Sequence, residues 1–249
     1  MVSLRQLPSA EFMRGVVVFA ATTLGWGCGS AAPATPVHAP AEAPSPERKS
    51  APSSELSTTA EVGGLDEQAA EQSFRASVDG LEACIRDGAQ RLEFIGGSIE
   101  FAVKVDATRQ AARVWAAQSS LGERSTEKCM FDALRSVTWP APEGGPFGIA
   151  RNSFDFELRR GTTVPAIWDA GRVSTVVSEL DGTLRRCRGD EPERLLITLY
   201  IGPGGKALGG GAASAQPVDD QAVDCVVDAL LAAEYPAPEH SPTKVRFQL

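Results

Sequence analysis

The chain carries nearly the same cysteine-centred phrase twice. The first copy reads Cys129-Met130-Phe131-Asp132-Ala133-Leu134, then Trp139-Pro140-Ala141-Pro142-Glu143. The second reads Cys225-Val226-Val227-Asp228-Ala229-Leu230, then Tyr235-Pro236-Ala237-Pro238-Glu239. Cysteine and aromatic stand ten positions apart in both. Self-similarity of this kind means one supersecondary unit used twice, and it constrains the fold before any single residue does.

Five cysteines occupy positions 28, 84, 129, 187 and 225. The last four fall two per repeat, and in an exported protein such an even set reads as disulfides, with three pairings formally open. The repeat favours the local pairing, Cys84–Cys129 and Cys187–Cys225. Closing loops of that length stabilises each small module by roughly 4 kcal/mol on the chain-entropy account.

The N-terminus reads as an address. Arg14 precedes an uncharged, largely apolar run from Gly15 to Gly25. That is too short for a bilayer, which takes ~20 residues, but suits a signal-peptide core. It runs through Leu24-Gly25-Trp26-Gly27 into Cys28, which resembles a bacterial lipoprotein signal whose cysteine is lipidated and becomes the mature N-terminus. The leucine stands four positions before Cys28 rather than three, and Trp26 is bulky. Met13-Arg14 followed by the apolar run looks like a complete short signal, so Met13 is a candidate start. Residues 1–27 are thus the expected signal peptide. Residues 28–65 are the expected disordered tether, rich in Ala, Pro, Ser and Glu and unable to bury a core. Such a tether reaches roughly 35–115 Å, depending on its stiffness.

The formal net charge is -8. Without residues 1–28 the chain keeps 22 basic and 31 acidic residues. Nucleic acid and anionic lipid faces both require clustered Lys and Arg, so neither is the expected main partner.

Each repeat follows one strand–helix grammar. In the first, Phe74, Val78, Leu81 and Ile85 recur at helical spacing with Cys84 beside them. Ile99, Phe101, Val103 and Val105 alternate with polar neighbours as a half-buried strand. A turn through Ala107 to Gln110 leads to a strand near Arg113 to Gln118. A helix bearing Cys129, Phe131 and Leu134 then stops before Trp139-Pro140, because proline cannot continue it. Phe154, Phe156 and Leu158 close the sheet. In the second, Val173, Val177, Leu180 and Leu184 give a helix ending at Cys187, and Leu195, Ile197, Leu199 and Ile201 a strand face. The turn Gly202-Pro203-Gly204-Gly205 and a strand from Ala207 follow. The cysteine helix spans 218 to 234, and Val245, Phe247 and Leu249 form the last strand. The expectation is an α+β protein of two α-β-β-α-β modules, residues 66–160 and 172–249, each a small antiparallel sheet with helices on one face.

A strand, a glycine turn, a strand, a helix, an aromatic-Pro-x-Pro and a terminal strand ending in Phe156-x-Leu158 or Phe247-x-Leu249 resemble the C-terminal domain of TonB. The pattern is closer still to its relative with paired cysteines, the AgmX/PglI C-terminal domain of myxobacterial envelope and gliding-motility proteins. The resemblance covers about 180 residues in two copies. It implies a cell-envelope location and binding of envelope proteins, and the lipoprotein-type signal adds the expectation of a lipid anchor to the outer membrane through Cys28. The chain departs from TonB in carrying a lipoprotein signal in place of a motor-contacting transmembrane helix.

Candidate chemistry is sparse. His38 and His240 have no nucleophile in a recognisable triad setting. Gly202 to Lys206 lacks the ending of a phosphate loop and lies between strands. The cysteines lack zinc-type spacing, and Asp190, Glu191 and Glu193 lack calcium-type spacing. Asp132 and Asp228 fit a local cap or pair. No catalytic residue, metal or cofactor is expected. The reading is a non-enzymatic adaptor that binds a partner strand by β-augmentation. Leu208, Gly209, Gly210 and Gly211, too glycine-rich for a normal strand, are the expected open edge. Trp139 and Tyr235 are candidates for a recognition platform if exposed, against packing beneath the sheet. The alternatives are a passive spacer, or a glycan-binding lipoprotein using a groove between modules with Trp115, Trp139 and Trp168 exposed.

Overall fold

A computed structural model of the protein describes residues 64–189 and 193–249, together with the backbone of residues 4–6. The expected signal peptide (apart from that tripeptide), the lipidation site Cys28 and the tether up to residue 63 lie outside the described residues. Asp190 and Glu191 do as well. Both modules belong to one compact body.

A short strand β1 (Leu4–Gln6) comes first in the chain. The first module then runs α1 (Glu67–Arg91), β2 (Gly97–Asp106), β3 (Ala111–Ser119), α2 (Arg124–Arg135) and β4 (Phe147–Phe156). Helix α1 starts where the Asp66 carboxylate accepts from the Ala69 N–H at 2.7 Å, satisfying one of the first-turn donors that a helix leaves orphaned. Phe74, Leu81, Cys84 and Ile85 form its buried stripe. The even-odd alternation of β2 sends Ile99, Phe101, Val103 and Val105 into the same core. Phe74 meets Trp139 edge-on, with ring centroids 4.9 Å apart.

Strand β5 (Ala166–Trp168) follows, then α3 (Ser174–Glu179), α4 (Asp181–Arg188), β6 (Leu196–Ile201), β7 (Ala207–Ala213), α5 (Asp220–Leu231) and β8 (Thr243–Gln248). The helix expected to run through Val173 to Cys187 is broken between Glu179 and Asp181. Neither piece has a side-chain cap at its N-terminus. Ile197, Leu199, Ile201, Val226, Val227, Leu230 and Val245 make the second core.

The sheets are ordered β1-β4-β2-β3 and β5-β8-β6-β7. All pairings are antiparallel except β5 with β8, which is parallel. The second sheet is therefore mixed, because the connection between the modules adds its own strand to the outer side of β8. The architecture is α+β. Disulfides join Cys84 to Cys129 and Cys187 to Cys225, with Cα separations of 5.7 and 5.4 Å. The first ties α1 to α2 and the second α4 to α5.

Candidate functional site

The repeated aromatic has a structural role in both copies. Trp139 is 1% exposed and Tyr235 6%, so neither presents a recognition platform. The Trp139 indole N–H donates to the Leu134 carbonyl at 3.1 Å, and the Tyr235 hydroxyl donates to the Leu230 carbonyl at 2.8 Å. Those leucines lie in the last turns of α2 and α5, where carbonyls lack intrahelical partners. The aromatic's backbone N–H is held as well. Trp139 donates to Arg109 and Tyr235 to Gly205, and both acceptors sit at left-handed positions of a hairpin turn, φ 63° and 76°. Ten residues from cysteine to aromatic thus place a polar ring atom under the end of the cysteine helix while its backbone fastens the hairpin. Burial pushes the Tyr235 hydroxyl up to about 12.

The glycine strand is not an open edge, which corrects the expectation for residues 208–211. Only Leu208 is exposed, while Gly209, Gly210 and Gly211 are buried. One side of β7 pairs with β6, and the other packs on the first module. A Cβ on Gly209 would stand 3.0 Å from the Gly122 carbonyl oxygen, and one on Gly211 2.6 Å from a Glu127 carboxylate oxygen. Glycine is used here because another backbone and a buried carboxyl approach within side-chain distance. Gly210 faces the strand's own core, where a Cβ would crowd Leu199 at 2.8 Å.

Around that strand the modules are joined by named bonds. The Ser214 N–H donates to the Ala116 carbonyl at 2.9 Å. Arg113 reaches the Val218 carbonyl at 2.6 Å, and Lys244 the Gly96 carbonyl at 2.8 Å. Arg124 on α2 contacts Asp220 at 2.9 Å and Asp224 at 2.8 Å on α5, and Lys128 contacts Asp224 at 2.7 Å. Counted from the cysteines, Arg124 and Asp220 are matching positions, and so are Lys128 and Asp224. Equivalent residues of the two repeats therefore meet, with basic side chains on the first copy and acidic ones on the second.

Further titratable groups, Glu127 and Lys244 among them, lie within this joint. Glu127 is fully buried, and burial raises its carboxyl to about 7 against the opposing pull of Ser119, Arg124 and the Ala212 amide. Burial lowers the Lys244 ammonium to about 8, assisted by Arg246. For Asp224, partial burial acts upward, but Lys128 and Arg124 hold the carboxylate below its ordinary value.

The joint leaves a cavity of only about 20 Å³, lined in part by Trp115 and Phe131. That has room for about one water and none for a saccharide. Trp115 and Trp139 are buried and Trp168 half-buried, so the three tryptophans form no exposed platform. An open groove of about 550 Å³ lies elsewhere, where Asp66, Gln72, Ser73, Arg109, Pro140 and Glu143 flank the start of α1.

Among the described residues, the longest strand edge without a partner in its own sheet on the first module's outer side lies on β4. Its inner side pairs with β2 along all ten residues from Phe147 to Phe156. Its outer side is paired only at Phe154–Phe156, by β1 in antiparallel register. Among the described residues, no strand pairs with that side from Phe147 to Ser153. Ile149 is 39% exposed on this stretch. Its counterpart β8 is covered at Thr243–Val245 by β5.

No protein-family model, curated protein or solved structure matches this chain. Among the described residues no helix is long and apolar enough to cross a membrane.

Proposed function

We propose that this protein is a non-enzymatic adaptor of the bacterial envelope. It is lipidated on Cys28, carried on a proline-rich tether at the outer membrane, and built from two TonB-like modules. Its first module binds an extended segment of an envelope protein by β-augmentation along the outer edge of β4. Backbone N–H and C=O groups on such an edge supply affinity, and alternate side-chain contacts supply selectivity. One observation carries the reading: β4 already accepts an antiparallel strand from outside its module, Leu4–Gln6 against Phe154–Phe156. On this account removal of residues 1–27 takes β1 away and leaves the edge free from Phe147 to Phe156.

The test is in-cell photocrosslinking of the full chain in its native envelope, with the crosslinker at Ile149 and, as an exposed control, at Glu179. A protein adduct at position 149 that is missing at 179 is the expected result. No adduct at 149, or the same adducts at both positions, counts against the β4 edge.

A further inference from the structure

Among the described residues Glu127 is the one buried carboxylate in the joint between the modules, and its surroundings leave an ionised form under-compensated. Its Oε1 accepts from the Ser119 hydroxyl at 2.7 Å, while Oε2 has no hydrogen-bond partner among the described residues. A buried ionised carboxylate normally collects several donors, and one left short of them carries a large desolvation cost. The matching position in the second repeat, two before its cysteine, is Val223, buried within its own core. A helix position that is apolar in one copy therefore carries a carboxyl in the other, at the point where β7 crosses. The missing Cβ of Gly211 makes the room, since that atom would stand 2.6 Å from the carboxylate.

The charged groups around it are already committed. On its own helix, Arg124 is held by Asp220 and Asp224 of α5, and Lys128 by Asp224. Glu123, which precedes α2, is held by Arg91 of α1. Strands β3 and β7 bring the Ser119 hydroxyl and the Ala212 amide, and Arg246 of β8 donates to the Ser119 carbonyl at 3.5 Å. Arg124 pulls the carboxyl down through space, but among the described residues no cation forms an ion pair with it.

We propose that Glu127 is a proton-operated latch between the modules: with its carboxyl neutral the glycine strand stays seated on α2 and β3, and with it ionised the joint loosens. The proton is exchanged with solvent, and no other group changes state. The direction follows from linkage. The closed joint holds the Glu127 proton more tightly than an open one. The resulting stabilisation is fully present below the ordinary value of 4.5 and is lost as pH rises through about 7. Lys244, lowered to about 8, begins to lose its charge at the upper end of that window, and its neutral form favours the closed joint, so it opposes the Glu127 effect instead of producing it.

The experiment is amide hydrogen exchange on the full chain at about pH 5 and about pH 8, corrected for intrinsic exchange and read at Gly209–Ser214. A shift from 4.5 to about 7 makes the opening constant rise tens of fold between those conditions, at tenfold per unit. The Glu127→Gln variant, with no proton to lose, removes most of that rise. Equal opening at both pH values in the unaltered protein overturns the proposal, as does a full rise in the variant. Should the variant fail to fold, carbon-detected titration of the Glu127 carboxyl in the unaltered chain decides. A midpoint near 7 supports the latch, and one near 4.5 overturns it.

Discussion

The two modules share a grammar and differ in what surrounds it. In both, a disulfide ties two helices and an aromatic ring caps the cysteine helix. The first has a continuous 25-residue opening helix and a core with seven aromatic rings of its own, Phe74, Phe94, Phe101, Phe131, Trp139, Phe154 and Phe156. The second opens with helices of six and eight residues, the first of which buries no residue and the second only Leu184. Its second strand has Gly209, Gly210 and Gly211 where the first module's, aligned on the cysteines, carries Arg113, Val114 and Trp115. The lesson is a division of labour: residues that repeat build each module, and residues that break the repeat join them.

The largest expected effect separates the two aromatics. Trp139→Ala removes a fully buried ring and a helix cap, and should cost about 3–5 kcal/mol in denaturant unfolding. Tyr235→Phe keeps the ring and loses only its hydrogen bond, about 1 kcal/mol. Comparable losses would mean that the hydroxyl bond, rather than ring burial, dominates.

Disulfide removal sharpens the contrast between the opening helices. Replacing both cysteines of either pair by serine should cost about 2–4 kcal/mol, but the structural responses should differ. Without Cys187–Cys225, amides of Ser174–Arg188 should lose their exchange protection, because two short helices without side-chain caps have little else to hold them. Without Cys84–Cys129, α1 should stay protected. Equal loss in both would show that helix length and capping do not matter here.

A smaller effect contrasts two glycines of the second module. Gly211→Ala should cost about 1–3 kcal/mol, because its methyl group meets the Glu127 carboxylate. Gly204→Ala, with nothing within 4 Å, should stay within about 0.5 kcal/mol. Calorimetric melting of both variants checks the pair, and indistinguishable melting would remove the close-approach account of the glycine strand.

Much of each module was legible in the sequence because its signals are local. Alternation in Ile99–Val105 and Leu195–Ile201 marks a buried face, Trp139-Pro140 stops a helix, and cysteines two per repeat point to pairing within each copy. The joint was harder to read, because alternation reports that one face is covered but not what covers the other. Trp115 follows Val114 and precedes Ala116, yet it points to the opposite face and is buried there with Ala102 and Ala117. Glycine at 209–211 reads equally as a weak strand or as a close approach, and the structure selects the second. Strand β5 carried no periodic signal, being three residues long. One signal was present in the sequence: aligning the copies on Cys129 and Cys225 sets Arg124 against Asp220, Lys128 against Asp224 and Glu127 against Val223. Inverted charge at matching positions is what two copies need to recognise each other rather than themselves.

The most direct test of this division of labour is a charge-reversal cycle read at the Ser214 amide, whose bond to Ala116 crosses the joint. Arg124→Asp alone should lower Ser214 protection at least ~10-fold, since it leaves Asp220 and Asp224 facing a like charge. Adding Lys128→Asp together with Asp220→Arg and Asp224→Arg, which reverses both sides of the Arg124–Asp220, Arg124–Asp224 and Lys128–Asp224 pairs, should restore most of it. Ser214 protection that ignores the first change, or that the reversal fails to rescue, would contradict a joint made by the residues that break the repeat.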